Sequence, residues 1–185
     1  MALLFAVHTK DINSMGAAQQ GADATHNRWM TVPRTLCFVF HGDEILLMKR
    51  GPHKKIFPNQ YNGLGGHIER DEDPLTSARR EILEESGLEV DGLRLCAVHN
   101  IDAGHASGII LFVFAGQSRT REELPPSPEG TLHWVKLDQL HTLDLVEDIA
   151  LIVPRILALP LGAPPIFIHV SYDAADQLLM RVAGE

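Results

Sequence analysis

Cysteine is scarce in this 185-residue chain: Cys37 and Cys96 are the only two, and they form no Cys-x-x-Cys spacing. Both lie in apolar runs, so they are expected to be buried, reduced thiols rather than a disulfide framework. The ten histidines are scattered without paired ligand spacing, which leaves a zinc site unsupported. Positive charge is also short, with 16 Lys and Arg against 24 Asp and Glu and a formal net charge of −8. Affinity for duplex nucleic acid or an anionic membrane rests on neutralising phosphates, so neither is an expected partner. A small phosphorylated ligand is not excluded, because metal ions can supply the missing charge. No run approaches the roughly 20 apolar residues of a membrane span. The opening MALLFAVHTK lacks the basic flank and the length of a signal peptide. A cytoplasmic protein is the expectation.

What is present reads as one domain with an N-terminal tail. Residues 1–30, including SMGAAQQGADATHN, have no sustained periodicity and are expected to form a flexible tail; Met15 and Met30 are alternative starts. The domain over 31–185 is expected to begin its regular structure at RTLCFVF, turn through HGDE and return along ILLMKR. A proline-bearing loop, GPHKKIFPNQYNG, follows. The next segment carries both ends of a helix: Asp73 as N-cap, Pro74 at the first position and Gly87 as the left-handed terminator. Leu75, Ala78 and Ile82 give its apolar stripe. EVDGLRLCAVHN and GIILFVFAG read as strands, the second apolar enough to be central in its sheet. TLHWVKL is a further strand in which Trp134 is assigned to the core. DLVEDIALIVPRILAL reads as a second helix with Pro154 inside it, and IFIHVSYDAADQLLMRV as a closing strand pair. Strands mixed with two helices imply an α/β domain with the sheet between helices.

The helix poses an electrostatic question. Glu81, Glu84 and Glu85 fall within an arc of about 100° on its surface. Like charges at these spacings destabilise a helix by roughly 0.2–0.5 kcal/mol per pair, and Arg80 relieves only part of that. A solvated acidic face is one account. The other is a site for a hard cation such as Mg²⁺, which prefers carboxylate and carbonyl oxygens.

The surroundings decide between them. Gly66, five residues, Glu72, seven residues and then Arg80-Glu81-Ile82-x-Glu84-Glu85-x-Gly87-Leu88 resembles the Nudix box at every specified position. With each residue type at about 6–7% usage, a chance match is on the order of 10⁻⁹ per start position. The resemblance is to MutT-like hydrolases of nucleoside diphosphates linked to a further group X. It implies a Nudix α/β/α sandwich with a mixed sheet between helices, and a catalytic centre of Arg80, Glu81, Glu84 and Glu85. Glu81, Glu84 and Glu85 become the ligands of Mg²⁺, or alternatively Mn²⁺, with the carbonyl of Gly65 or Gly66 as a further oxygen. Arg80 orients the glutamates, while Glu72 and Gly87 are structural within the box. Either Glu81 or Glu85 is the candidate general base.

The substrate is less marked. The downstream proline of ADP-ribose hydrolases and the tyrosine of dinucleoside polyphosphate hydrolases are both missing from VHNIDAGHASGII, which points toward nucleoside triphosphates. A wider similarity to the family's oxidised-purine triphosphatases spans about Arg34 to Val182. It implies Asn62 as a base contact, Glu129 as an added metal ligand, and Glu147 and Asp148 as the acids that grip the base. The base-stacking tryptophan of those enzymes is replaced here by Leu145 and Val146. Asn62 beside Gly63 also suits a plain turn, and two acids in a first helical turn suit the helix dipole. Arg50 is the expected phosphate contact, whereas Lys54 and Lys55 are assigned to a solvated loop. The resulting expectation is a Mg²⁺-dependent pyrophosphohydrolase of (d)NTPs, 8-oxo-dGTP among them, working on a small-molecule nucleotide as monomer or homodimer. The alternatives are a nucleotide sugar or dinucleoside polyphosphate as substrate, or a nucleotide-sensing module with little turnover.

Overall fold

The computed structural model describes residues 21, 26–121, 124–125 and 127–185. Most of the expected tail lies outside those residues, and regular structure begins at Met30 rather than Arg34. Strand β1 (Met30–His41) turns through Gly42 and Asp43 into β2 (Glu44–Arg50), the antiparallel hairpin expected from HGDE. Thr35 to Phe40 is buried without a break, the mark of a strand covered on both faces. Alternation sends Leu36, Phe38 and Phe40 into one core cluster and Cys37 and Val39 into the other.

The sheet continues with β3 (Tyr61–Asn62), β4 (Val90–Ile101), β5 (Ser107–Ser118), β6 (Gly130–Lys136), β7 (Ile166–Tyr172) and β8 (Leu178–Val182). Its order is β3-β2-β1-β5-β4-β7-β8, with β6 paired to β2. β1 runs parallel to β5 and β4 parallel to β7, while the other pairs are antiparallel, so the sheet is mixed. The apolar β5 is central, as its composition predicts. The two-residue β3 and a short 3₁₀ helix over Leu137–Thr142 were not expected from the residue pattern.

Helix α1 (Pro74–Ser86) starts and stops where its signals predict. Asp73 accepts from the N–H groups of Leu75 and Thr76 at 2.8 and 3.0 Å, and Gly87 closes the helix at φ 71°. Its buried face is Ser77, Ala78, Ile82 and Ser86. Leu75, expected on that face, is 39% exposed. It has the right angular position but lies in the first turn, outside the cluster that Ala78 and Ile82 form with Cys37, Val39 and Leu46. Helix α2 (Glu147–Ala158) covers the opposite face with Ile149, Ile152, Val153 and Ile156 and holds Pro154 in its interior. Each such aliphatic contributes about 1.5–3 kcal/mol on burial. One helix on each side of a mixed sheet is the α/β/α sandwich expected. Cys37 and Cys96 are free and buried. Among the described residues no helix is long and apolar enough to cross a membrane.

Candidate active site

The site is organised by the short segment Gln60–Gly66, which is pinned along its whole length. At its start, Tyr61 N–H donates to Asp144 O at 2.8 Å and Tyr61 O accepts from Val146 N–H at 2.9 Å. These bonds hold the segment against the beginning of α2, and they are why the helix starts at Glu147 instead of Asp144. Asn62 pairs with Met48 of β2, and Leu64 pairs with Cys37 of β1. At its end, Gly66 O accepts from Thr35 N–H at 2.9 Å, so that carbonyl is already engaged, while Gly65 N–H donates to Glu85 Oε2 at 2.9 Å. One stretch of chain therefore joins the first turn of α2 to the glutamates of α1.

Both glycines at that end are needed for space. Gly65 has φ 133°, and a Cβ there would stand 2.3 Å from Thr35 O; at Gly66 it would stand 2.4 Å from Glu81 Oε1. Gly65→Ala is expected to cost about 2–4 kcal/mol from backbone strain and overpacking, read as a lower urea midpoint with unchanged slope. A stability matching the unsubstituted protein would show that the loop relaxes freely.

Arg80 is the hub of the acidic helix. It donates through Nη2 to Glu72 Oε1 at 2.7 Å and through Nε to Glu72 Oε2 at 3.0 Å, a two-pronged clamp. Its Nη1 donates to Glu81 Oε1 at 2.9 Å and Glu84 Oε2 at 3.1 Å, and Nη2 reaches His67 O at 3.2 Å. This clamp, with the Glu69 N–H, holds the Glu72 carboxyl at about 2. Glu84 is turned outward onto Arg80, with 60% of its side chain exposed. Glu85 is turned inward, and burial pushes its carboxyl up to about 7, helped by the nearby charges of Glu81 and Glu129. Glu81 is raised as well, first by desolvation. Beneath them the Cys37 thiol is pushed far up, by burial first and then by Glu85 and Glu81, and is inert.

Two loops add the remaining charge. The β2–β6 register sets Arg50 against Gly130, so Glu129 lies beside Arg50, and Gly51 N–H donates to Glu129 O at 2.9 Å. Arg50 Nε is tied to Ile56 O at 2.9 Å, and its charge acts on Glu85. Lys54 is not solvated as its loop predicts: its Nζ meets Glu129 Oε1 at 2.5 Å, with only 22% of its side chain exposed. Folding of the loop between β2 and β3 brings it there, which spacing along the chain does not disclose. Lys55 is exposed, as expected.

At the other end of the segment lie Asn62, Glu147 and Asp148. Asn62 Oδ1 accepts from Gly63 N–H at 2.8 Å, the turn bond its dipeptide predicts. Glu147 is exposed, whereas Asp148 faces inward and its carboxyl is raised, by desolvation first and then by Glu147. Its neighbour there is His99 of β4, fully buried, whose Nδ1 lies 4.0 Å from Asp148 Oδ2. Neither ring nitrogen of His99 has a hydrogen-bond partner among the described residues, a deficit that costs about 1–3 kcal/mol per group. Sequence reasoning passed over His99, since only its place among apolar strand residues marked it. Trp134 is partly buried against the core as assigned, and its indole N–H has no partner among the described residues.

The donor chemistry at the α1 end fits a hard divalent cation: carboxylate oxygens crowd together, and burial with the charges of Glu81 and Glu129 raises the innermost, Glu85. Among the described residues, however, no three such side chains converge on one point. Arg80 holds Glu81 and Glu84 and Lys54 holds Glu129, so a cation would have to compete with these pairings.

A family model described as the NUDIX domain matches residues 30–156, which takes in the whole of this arrangement. The chain belongs to the Nudix family. It is 31% identical over 138 residues to the oxidized purine nucleoside triphosphate hydrolase of Mus musculus, covering 66% of this chain and 78% of that one. It is 33% identical over 109 residues to a prenyl-diphosphate phosphatase of Methanosarcina mazei, covering 54% and 59%. Among solved structures, the MutT protein of Bacillus halodurans superposes with a TM-score of 0.69 at 26% identity, covering 83% of this chain and 99% of that one. The protein is thus an enzyme of the Nudix hydrolase family, whose members generally use divalent metal ions. In this Nudix chain the box supplies α1 and the loop before it, with Arg50, Lys54 and Glu129 on the neighbouring loops.

Proposed function

We propose that this Nudix enzyme is a Mg²⁺-dependent pyrophosphohydrolase of nucleoside triphosphates, oxidised purine deoxynucleotides among them, releasing the monophosphate and pyrophosphate. One observation carries the reading. The Gln60–Gly66 segment links a carboxylate-rich end to a polar end made by Asn62 and the first turn of α2. From Asn62 to Gly65 an extended chain reaches about 10 Å, suited to a ligand with phosphates at one end and a base at the other. Similarity to an enzyme named for oxidised purine triphosphates agrees with this assignment.

In this reading Glu81, Glu84, Glu85 and Glu129 hold the cation with the Gly65 carbonyl, since Gly66 O is already bonded to Thr35. When bound, the ion neutralises phosphate charge and makes a water nucleophilic near pH 7. Arg50 and Lys54 take phosphate oxygens in this reading, Lys54 on release from Glu129. Glu81 or Glu85 takes the proton of the attacking water, each lying within the carboxylate cluster. Asn62, Glu147 and Asp148 contact the base.

A second reading changes the group beyond the diphosphate. The absent stacking tryptophan at Leu145 and Val146 favours it, as does similarity to a protein named as a prenyl-diphosphate phosphatase. A panel of 8-oxo-dGTP, ordinary dNTPs, ADP-ribose, a nucleotide sugar and a prenyl diphosphate, each with Mg²⁺, separates the two. Pyrophosphate and a nucleoside monophosphate are the expected products. Orthophosphate from the prenyl compound, or two phosphorylated fragments without pyrophosphate, would replace the first reading with the second.

A further inference from the structure

A buried histidine with no hydrogen-bond partner among the described residues is an odd component for the middle of a sheet. His99 stands in register with Leu111 of β5 and Ile168 of β7 and is fully enclosed. Both register partners pack in the aliphatic core, and Asp148 in the first turn of α2 approaches the ring. A separation of 4.0 Å is about 1 Å beyond a hydrogen bond, so direct pairing needs the two side chains to draw that much closer. Tyr172 of β7 lies close enough to feel the charges of Asp148, Glu147 and Asp176, so this corner gathers three acids. Burial keeps the His99 ring neutral, with a pKa near 4, and raises the Asp148 carboxyl.

A neutral imidazole and a carboxyl have two ways to share a proton. In one, His99 Nδ1–H donates to a carboxylate Oδ2. In the other, a protonated Oδ2 donates to the lone pair of Nδ1. The proton lies between the two side chains in both cases, so Oδ1 of Asp148 is left as an acceptor in both. A carboxyl without such a partner can turn its O–H outward and donate instead.

We propose that His99 is a positioning residue for substrate choice: by occupying Oδ2 of Asp148 it keeps Oδ1 an acceptor, so the site takes a nucleobase that offers an N–H to Asp148. This rests on the nucleotide reading above and deepens it, since it states which hydrogen-bonding edge the base end accepts.

The test pairs nucleotides that differ by one exocyclic amino group on the base: dGTP with dITP, and dATP with the triphosphate of purine deoxyriboside. For the unsubstituted enzyme, loss of the donor in at least one pair is expected to raise KM about tenfold or more, with kcat within about threefold. In His99→Leu that penalty is expected to fall below about threefold, and in His99→Gln, which keeps a side-chain N–H, to persist in part. An undiminished penalty in His99→Leu overturns the proposal. So does the absence of a penalty in the unsubstituted enzyme, or a parallel loss of kcat and KM discrimination in both variants, which marks a structural role. The ring ¹⁵N signals of His99 give an arm that needs no substrate: Asp148→Leu is expected to move the Nδ1 resonance, and an unmoved resonance overturns the pairing. An enzyme that turns over no nucleotide refutes the nucleotide reading instead, and the ring signals then decide the pairing alone.

Discussion

Glu85→Gln is expected to lower hydrolysis by about 10³-fold or more while leaving the fold intact. The side chain is isosteric, and its Oε can still accept from Gly65 N–H, so the tie between the loop and α1 survives. What disappears is a negative donor for the cation and a group able to take a proton. The variant should also be more stable than the parent above neutral pH in the absence of divalent metal. The sign follows from the raised carboxyl: with a folded value of about 7 against an ordinary 4.5, the folded state binds more protons than the unfolded state between those values. Stability without metal therefore falls as pH rises from about 4.5 to 7, by roughly 3 kcal/mol at most. Glu85→Gln should flatten that slope. Mg²⁺ should oppose it, because binding displaces the proton, so the metal-dependent rise in Tm should be larger at pH 8 than at pH 5.5. Thermal melts of both proteins at the two pH values, with and without millimolar Mg²⁺, check every part of this. An unaltered hydrolysis rate in Glu85→Gln would remove Glu85 from the chemistry.

The legible part of this molecule was the part that is local in sequence. Helix α1 announces itself through Asp73, Pro74 and Gly87, and each of those residues does in space what its position predicts. Arg80 and Glu72 were likewise readable, since a helix and the turn before it bring them together without help from the sheet. The missed contacts share a different origin. Lys54 reaches Glu129 only because the β2–β6 register places two separate loops side by side. His99 meets Asp148 only because β4 passes under the first turn of α2. Strand β3 is two residues long and gains its place from bonds to Asp144 and Val146, so no periodicity could reveal it. Leu75 shows the converse error, in which a correct angular pattern overlooked where the core ends along the helix axis.

Arg80→Ala is expected to weaken Mg²⁺ activation about 10–100-fold, the usual cost of losing a residue that orients metal ligands. Two opposed effects meet at this position. Arg80 competes with a cation for Glu81 and Glu84, so its loss frees negative oxygens and by charge alone would tighten metal binding. It also fixes where those oxygens are, through the clamp on Glu72 and the bond to His67 O that hold the loop against α1. Orientation should win, because a cation needs its donors at fixed separations and two freed glutamates repel each other. The fork geometry matters as well as the charge: Lys has a single ammonium and cannot make the paired bonds to Glu72 while reaching Glu81, so Arg80→Lys should recover little. The measurement is the Mg²⁺ concentration for half-maximal activity in the parent and both variants, alongside Tm without metal. Arg80→Ala should need more Mg²⁺ and melt lower. A variant that melts lower yet needs less Mg²⁺ would mean that competition for the carboxylates outweighs their positioning, and that Arg80 serves the fold at the metal's expense.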